Sequence, residues 1–369
     1  MAATNRIRNY CKGLINNNID AEVLICRSTE CACKDNINPS KGNWKGVKYC
    51  YPKTSIRSKS FIKRRIDDAR DLFKTLRYIY KSDSEIVYIY MNSLIIELFV
   101  LIATKIANKK LVRELCEYPY YKKCLKSWLN FLYFRFYDGI VAISHELERI
   151  ASIKCRHNTK IIKIPILVDP DGQGQDKYKN IRPYIFHGGT LTESKDAIIS
   201  TMKAFAIANN QLNNTVDFIL AGPPSSDLLE LQRIVEDNHL EENVKLIGQI
   251  PAEEISKYQN GASLSIINKN DTLQNRCGFS TKLGETLLSG TAVITTTIGE
   301  ANYWLKDGQN AYITYPHSPE LIADKIVYAF KDKDLRDKIA INGKLVAINS
   351  FSVMKQGAIL ANFFMNFEK

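Results

Sequence analysis

Gly278-Phe279-Ser280-Thr281-Lys282-Leu283-Gly284-Glu285 lies between two apolar runs, Ser263-Leu264-Ser265-Ile266-Ile267 before it and Ala292-Val293-Ile294 after it. Leu283, Leu287 and Leu288 fall on one face at helical spacing and Gly290-Thr291 ends the pattern, so the whole reads as strand, helix, strand. Such a unit delivers a helix N-terminus to the carboxyl end of a strand, where open α/β sheets bind their ligands. Unpaired N–H groups and a partial positive charge at that N-terminus suit a diphosphate. Lys282 adds a full charge. Glu285, three positions on and on the same face, offers two acceptor oxygens for sugar or ribose hydroxyls. A Lys and a Glu at this spacing more often form a solvated surface pair, so the neighbouring segments decide the reading.

Those segments repeat the theme. Tyr184-Ile185-Phe186-His187-Gly188-Gly189 is an apolar run breaking into a double glycine, with Lys195-Asp196 close behind. Gly188 and Gly189 allow close backbone approach to a ligand, and Lys195 places charge near the next helix start. Val216-Asp217-Phe218-Ile219-Leu220-Ala221-Gly222-Pro223 is a strand ending in a turn, and Val244-Lys245-Leu246-Ile247-Gly248-Gln249-Ile250 is another running into a loop. Strands alternating with helices predict parallel sheets and an α/β class.

The stretch from Gly278 to Ile294 resembles the donor-binding signature of retaining glycosyltransferases of family 4, and most closely that of members related to capsule and O-antigen polysaccharide biosynthesis. The resemblance covers residues 182 to 349 well and the first half more thinly. It implies a GT-B fold, two Rossmann-like doubly wound domains facing across a cleft, and transfer of a sugar from a nucleotide diphosphate donor to a glycan or lipid-linked acceptor with retained configuration. Donor-binding positions carried over by the resemblance are Gly188, Gly189, Lys195, Gly222, Gln249, Ile250, Gly278, Phe279, Ser280, Thr281, Lys282, Glu285 and Glu300. Glu114 and Glu117, in a segment similar to the family's E-x-x-E-Y-P loop, join Lys282 and Glu285 as candidate catalytic residues. A surface loop is the plainer reading of the first two. Thr190 stands where relatives often carry an Arg, so that phosphate contact is either missing or supplied elsewhere, with Arg276 as the candidate. Cys277 replaces the first of the family's two paired glutamates. With two lysines and helix amides on the leaving diphosphate, no metal or other cofactor is expected.

At 369 residues the chain predicts two cores. The polar stretch Asp169 to Asp176 marks the join, giving an acceptor-side domain over 1–172, a donor domain over 173–350 and a terminal helix over 351–369 that packs back on the first domain. Charge separates the halves. Residues 1–180 hold 33 Lys and Arg against 18 Asp and Glu, whereas the remainder holds 18 against 21. Two basic stretches with interleaved aromatics, Phe61 to Lys81 and Tyr120 to Phe136, suit an anionic membrane surface as well as a helix with a solvated back. Nucleic acid is not expected, because no binding motif accompanies the charge. The most apolar run, Leu94 to Ala107, is short and carries Glu97 and Lys105, which predicts a core or amphipathic helix. Without a signal region the chain is expected in the cytoplasm, at most peripheral on the inner face of the cell membrane. Cys26, Cys31 and Cys33 cluster without a fourth ligand at metal spacing, so reduced thiols are expected.

The amino terminus carries the main irregularity. Ile7, Tyr10, Cys11, Leu14 and Ile15 share a helical face almost from the first residue, so the first strand of a Rossmann-like domain is missing. That strand is central in a doubly wound sheet, and its loss exposes ladder groups on both neighbours. A truncated nucleotide-sugar-binding remnant without turnover is therefore the alternative function. Later strands are predicted at Ala21–Cys26, Gly46–Tyr51, Glu85–Tyr90, Lys110–Arg113 and Asp138–Ser144, with Ser144 as a helix N-cap and His145 its neighbour.

Overall fold

The computed structural model describes residues 2–31, 38–91, 93–119, 131–172, 174–316 and 318–367. The chain divides into two units, Met1–Pro165 with Val353–Lys369, and Ile166–Ser352. The division precedes the polar stretch from Asp169 that the sequence marks as the join.

Unit 2 is a six-stranded parallel sheet of β10 (Tyr184–Gly188), β11 (Asp217–Ala221), β12 (Val244–Gly248), β13 (Leu264–Ile267), β14 (Ala292–Thr296) and β15 (Tyr312–Thr314). Its spatial order is β12-β11-β10-β13-β14-β15. Counted from its own first strand this is 3-2-1-4-5-6, the Rossmann order, whose direction reverses between β10 and β13. β11, β13 and β14 are buried at every residue, as central strands covered on both faces must be. The main core joins Ile185, Phe218, Leu264 and Ile294 to Ile198, Met202 and Phe205 of the helix Ile198–Gln211 and to Ile322 and Ile326 of the helix Pro319–Lys331.

Unit 1 has its sheet in pieces. β1 (Glu22–Leu24), β3 (Lys41–Trp44) and β4 (Val47–Cys50) form one sheet in the order β1-β4-β3, and β2 (Glu30–Cys31) pairs with β5 (Ile56–Arg57). β6 (Ile86–Ile89), β7 (Lys110–Leu115), β8 (Gly139–Ala142) and β9 (Lys160–Lys163) form a parallel set of four. Among the described residues no strand joins β1 to β6, the gap that the irregular amino terminus predicts. β3 departs from the all-parallel expectation. Lys45 and Gly46 both take positive φ, the two-residue hairpin geometry that folds β3 back on β4.

Helix α1 (Ala2–Ile15) crosses the helix Val353–Met365 at Gly13 and Gly357. A Cβ on Gly357 would stand 2.5 Å from the Gly13 Cα, so only glycine allows this approach. Arg6 of α1 is buried and donates from Nε to Glu114 at 2.7 Å and from its terminal nitrogens to the Pro165 and Ile164 carbonyls at 2.8 and 3.0 Å.

Two further helices, α2 (Phe61–Lys81) and α3 (Leu94–Ile106), bury faces of mixed polarity and leave large apolar residues outward. α2 buries Asp71 and Thr75 but exposes Phe61, Ile62, Phe73 and Tyr80. α3 buries Glu97, which takes hydrogen bonds from Arg113 and Tyr137, and exposes Ile95, Phe99, Ile102 and Ile106. Asp71 accepts the Ser28 hydroxyl at 3.1 Å, and Thr104 donates to the Val100 carbonyl of its own helix at 2.7 Å. α3 also buries Val100 and Leu101, so Leu94 to Ala107 forms a short helix with one face buried and the other exposed, the amphipathic form of the prediction. The other basic stretch is seen only from Phe131 onward, since Tyr120 to Asn130 lie outside the described residues. Among the described residues no helix is long and apolar enough to cross a membrane.

Candidate functional site

The site forms where the unit 2 sheet reverses direction. β10 ends in Gly188, and the Gly189 N–H bonds the Ala221 carbonyl at 2.8 Å, holding the glycine turn against the end of β11. Gly222 is required there, because a Cβ on it would stand 2.1 Å from the Gly189 carbonyl oxygen. From the other side of the reversal, β13 runs into Asn268 and Lys269, and the helix Leu273–Cys277 leads to Gly278. Thr272 caps that short helix by accepting the Asn275 N–H.

The helix Thr281–Ser289 follows. Its N-cap residue Ser280 makes no side-chain cap, so the first amides keep their donors. Leu283, Leu287 and Leu288 are buried, as their spacing predicts, and Phe279 is fixed edge-on against Phe351 with ring centres 5.5 Å apart. These anchors leave Thr281, Lys282 and Glu285 half-buried on the open side. Lys282 turns to the glycine loop, close enough that a Cβ on Gly189 would meet its Nζ at 2.6 Å.

Lys282 shares one carboxylate with a second lysine. Its Nζ lies 2.5 Å from Asp196 Oδ2, and Lys269 Nζ lies 2.7 Å from Oδ1. Burial alone would lift the Asp196 carboxyl, but Lys282 and then Lys269 outweigh it and hold it at about 2. Desolvation lowers the Lys282 ammonium, with Asp196 and Glu285 opposing it. Two ammoniums on one carboxylate leave a positive excess at the mouth of the crevice, beside amides that themselves attract anions. His187 stands behind them, buried, its Nε2 3.8 Å from Asp196 Oδ2 and without a hydrogen-bond partner among the described residues. Burial, with Lys282, pushes its imidazole down to about 4, so it is neutral at ordinary pH.

Of the sequence-predicted residues, Gly188, Gly189, Gly222 and Lys282 converge at this reversal, with Ser280 and Thr281 at the helix start and Glu285 one turn further on. Lys195 does not join the pair. Its side chain is exposed and makes no ion pair among the described residues, while its carbonyl accepts a hydrogen bond from Lys269 at 2.7 Å. Lys269 and Asp196 are the residues that the sequence reading passed over. Arg276 is held bidentate by Asp271, at 2.5 and 2.7 Å, and is not aimed at the glycine loop's lysine pair. Gln249 is exposed, and Ile250 packs on the cluster around Phe186 and Ile219. Glu300 is buried and accepts the Trp304 indole N–H at 3.3 Å. Gly299, before it, packs its Cα against the Asn275 and Gly278 carbonyls, which braces the turn into the helix.

The carboxylates of unit 1 are not brought together either. Glu114 is buried, takes the Arg6 guanidinium, the Tyr10 hydroxyl at 3.1 Å and the Tyr88 hydroxyl, and so is committed to holding α1 on β7. Glu117 is exposed. Ser144 caps its helix by accepting the Leu147 N–H, and Lys163 contacts the His145 ring. Among the described residues no group of three His, Cys, Asp or Glu is placed to hold a metal, and Cys33 lies outside them.

Residues 176–346 match the family model for glycosyl transferases group 1, a match that spans nearly all of unit 2. No curated protein matches the chain in sequence. Solved structures of the same fold include Anabaena HepE in complex with UDP and glucose, 18% identical, with a TM-score of 0.73 over 99% of this chain and 96% of that one. Sucrose-phosphate synthase from Thermosynechococcus elongatus is 12% identical, with a TM-score of 0.74 over 98% and 92%. A glycosyltransferase from Rickettsia africae is 17% identical, with a TM-score of 0.68 over 88% and 86%. The chain therefore has the GT-B plan of two Rossmann-like α/β units, and its second unit carries the group 1 glycosyltransferase pattern.

Proposed function

We propose that the protein transfers a sugar from a nucleoside diphosphate sugar to a glycan or lipid-linked acceptor with retention of configuration, in polysaccharide biosynthesis. The observation that carries this reading is the lysine pair Lys282 and Lys269 on Asp196, beside the Gly188-Gly189 turn and an uncapped helix start, at the reversal of a Rossmann sheet. HepE, which shares the fold, holds UDP and glucose. In this reading the two ammoniums and the helix amides neutralise the departing diphosphate, the charge task that a metal performs in other transferases. Glu285 orients donor hydroxyls. The bond from the anomeric carbon to the diphosphate oxygen breaks with its electron pair on oxygen. The acceptor hydroxyl then bonds that carbon on the same face, and its proton passes to the leaving phosphate. No separate base is needed, and the buried neutral His187 is not asked to be one.

The same reading places the enzyme in the cytoplasm against the inner face of the membrane. Support comes from the basic first half and from the apolar residues that α2 and α3 turn outward beside Arg77 and Lys81. A second reading, a nucleotide-sugar-binding remnant without turnover, is favoured by one observation, the sheet of unit 1 in pieces.

Incubation of the purified protein with a panel of UDP- and GDP-sugars separates the two. Transfer to an added glycan, or slow hydrolysis of one donor, is the expected result. Binding without either supports the remnant, and no binding of any donor refutes both.

A further inference from the structure

We propose that unit 1 contains a second anion site, a pocket for a phosphate group at the amino ends of β7, β8 and β9. Lys110 and Lys160 open β7 and β9, and Asp138 immediately precedes β8, so the pocket sits at the edge of the sheet opposite the strand carboxyl ends. It has a volume of about 270 Å³ and is lined by five cations, Lys105, Lys110, Arg135, Arg156 and Lys160, against one carboxylate among the described residues, Asp138.

The carboxylate is already spent. Asp138 Oδ2 takes the Lys105 ammonium at 2.8 Å and the Leu111 N–H at 2.8 Å, a contact that fixes the start of β7. Lys160 donates to the Asn366 carbonyl. The side chains of Lys110, Arg135 and Arg156 have no ion pair or hydrogen bond among the described residues. Three uncompensated cations around one concavity repel one another and raise the local anion concentration, a cost that a bound anion removes.

The chemistry of the lining selects the anion. Two guanidinium forks match phosphate oxygens two at a time, and a phosphomonoester brings a charge of about −1.5 to −2 to meet them. The aromatic rings of the pocket already serve cations, Arg156 lying 5.3 Å from the Phe136 ring centre, Lys160 4.9 Å from that of Phe367 and Arg113 5.6 Å from that of Tyr137. They are not presented as a platform for a base. The volume falls below the roughly 300–1,000 Å³ of sites that enclose a drug-sized ligand, so it admits a head group and not a glycan. Phe136, in the wall of the pocket, is itself exposed. The phosphate can thus come from a soluble compound or from a lipid head group. None of the donor residues of unit 2 takes part.

The test uses the full chain and the double variant Arg135→Gln/Arg156→Gln. One arm titrates inorganic phosphate at low salt. The other measures co-sedimentation with phosphatidylcholine vesicles with and without phosphatidic acid. Thermal unfolding checks the fold in both, independently of any nucleotide binding, and Lys110→Gln replaces the double variant should that one melt early. The expected result is binding in at least one arm that falls about tenfold or more in the variant, the loss of one to two charge-assisted hydrogen bonds. Loss in the phosphate arm assigns a soluble ligand, and loss confined to acidic vesicles assigns a lipid head group. Absence of binding in both arms, or binding that the variant leaves unchanged, overturns the proposal.

Discussion

His187 shows how one residue reports on the charge around it. A neutral imidazole is kept in the protein interior because burial disfavours its charged form and because a proton there would add a third positive charge beside Lys282 and Lys269. The folded state therefore binds this proton only near pH 4, whereas an unfolded histidine binds it near 6.5. Between those values the unfolded chain carries the extra proton, so stability is fully present above about pH 6.5 and declines as pH falls toward 4. Replacing His187 with Asn, which keeps a donor and does not titrate, is expected to flatten that part of the stability curve in urea unfolding followed from pH 7 to 4. An unchanged slope would mean that another group is responsible. Lys282 was legible in the sequence because its helix start, its glycine and its neighbouring strands are all local. Asp196 and Lys269 were not, for they lie 86 and 13 positions from Lys282 and only the parallel pairing of β10 with β13 brings the three together.

At the scale of elements, apolar periodicity located the strands of unit 2 and the position of α1, since both bury one consistent set of residues. It gave α3 as a core or amphipathic helix but not the burial of Glu97 beside Val100 and Leu101, because the partner that makes that burial tolerable, Arg113, stands on a different element. β3 escaped notice for a related reason: Lys41-Gly42-Asn43-Trp44 has no apolar alternation and becomes a strand through its hairpin turn. The attachment of α1 is more specific than periodicity suggests. Arg6 is the buried charge partner of Glu114, and removing it leaves that carboxylate buried without a counter-ion. Arg6→Ala is expected to destabilise unit 1 by about 3–5 kcal/mol, the usual cost of breaking a buried pair on one side. Denaturant unfolding checks this, and a loss under about 1 kcal/mol would show that α1 is held by its apolar face alone.

For the molecule as a whole, the alternation of strands and helices was enough to give the α/β class and two cores, and the Rossmann order of unit 2 then follows from short right-handed crossovers. The divided sheet of unit 1 was legible as a missing strand, though not the antiparallel pairing of β3. Charge separates the units as well: the basic first half carries the outward apolar faces of α2 and α3, and the second carries the lysine pair. The central claim is that the lysine pair grips a diphosphate. Calorimetric titration of UDP and GDP into the wild-type chain and into Lys282→Ala tests it most directly. The account predicts that the nucleotide which binds loses about 1.5–3 kcal/mol, or roughly 10- to 150-fold in affinity, with the alanine variant. Equal affinity in the two proteins would contradict it.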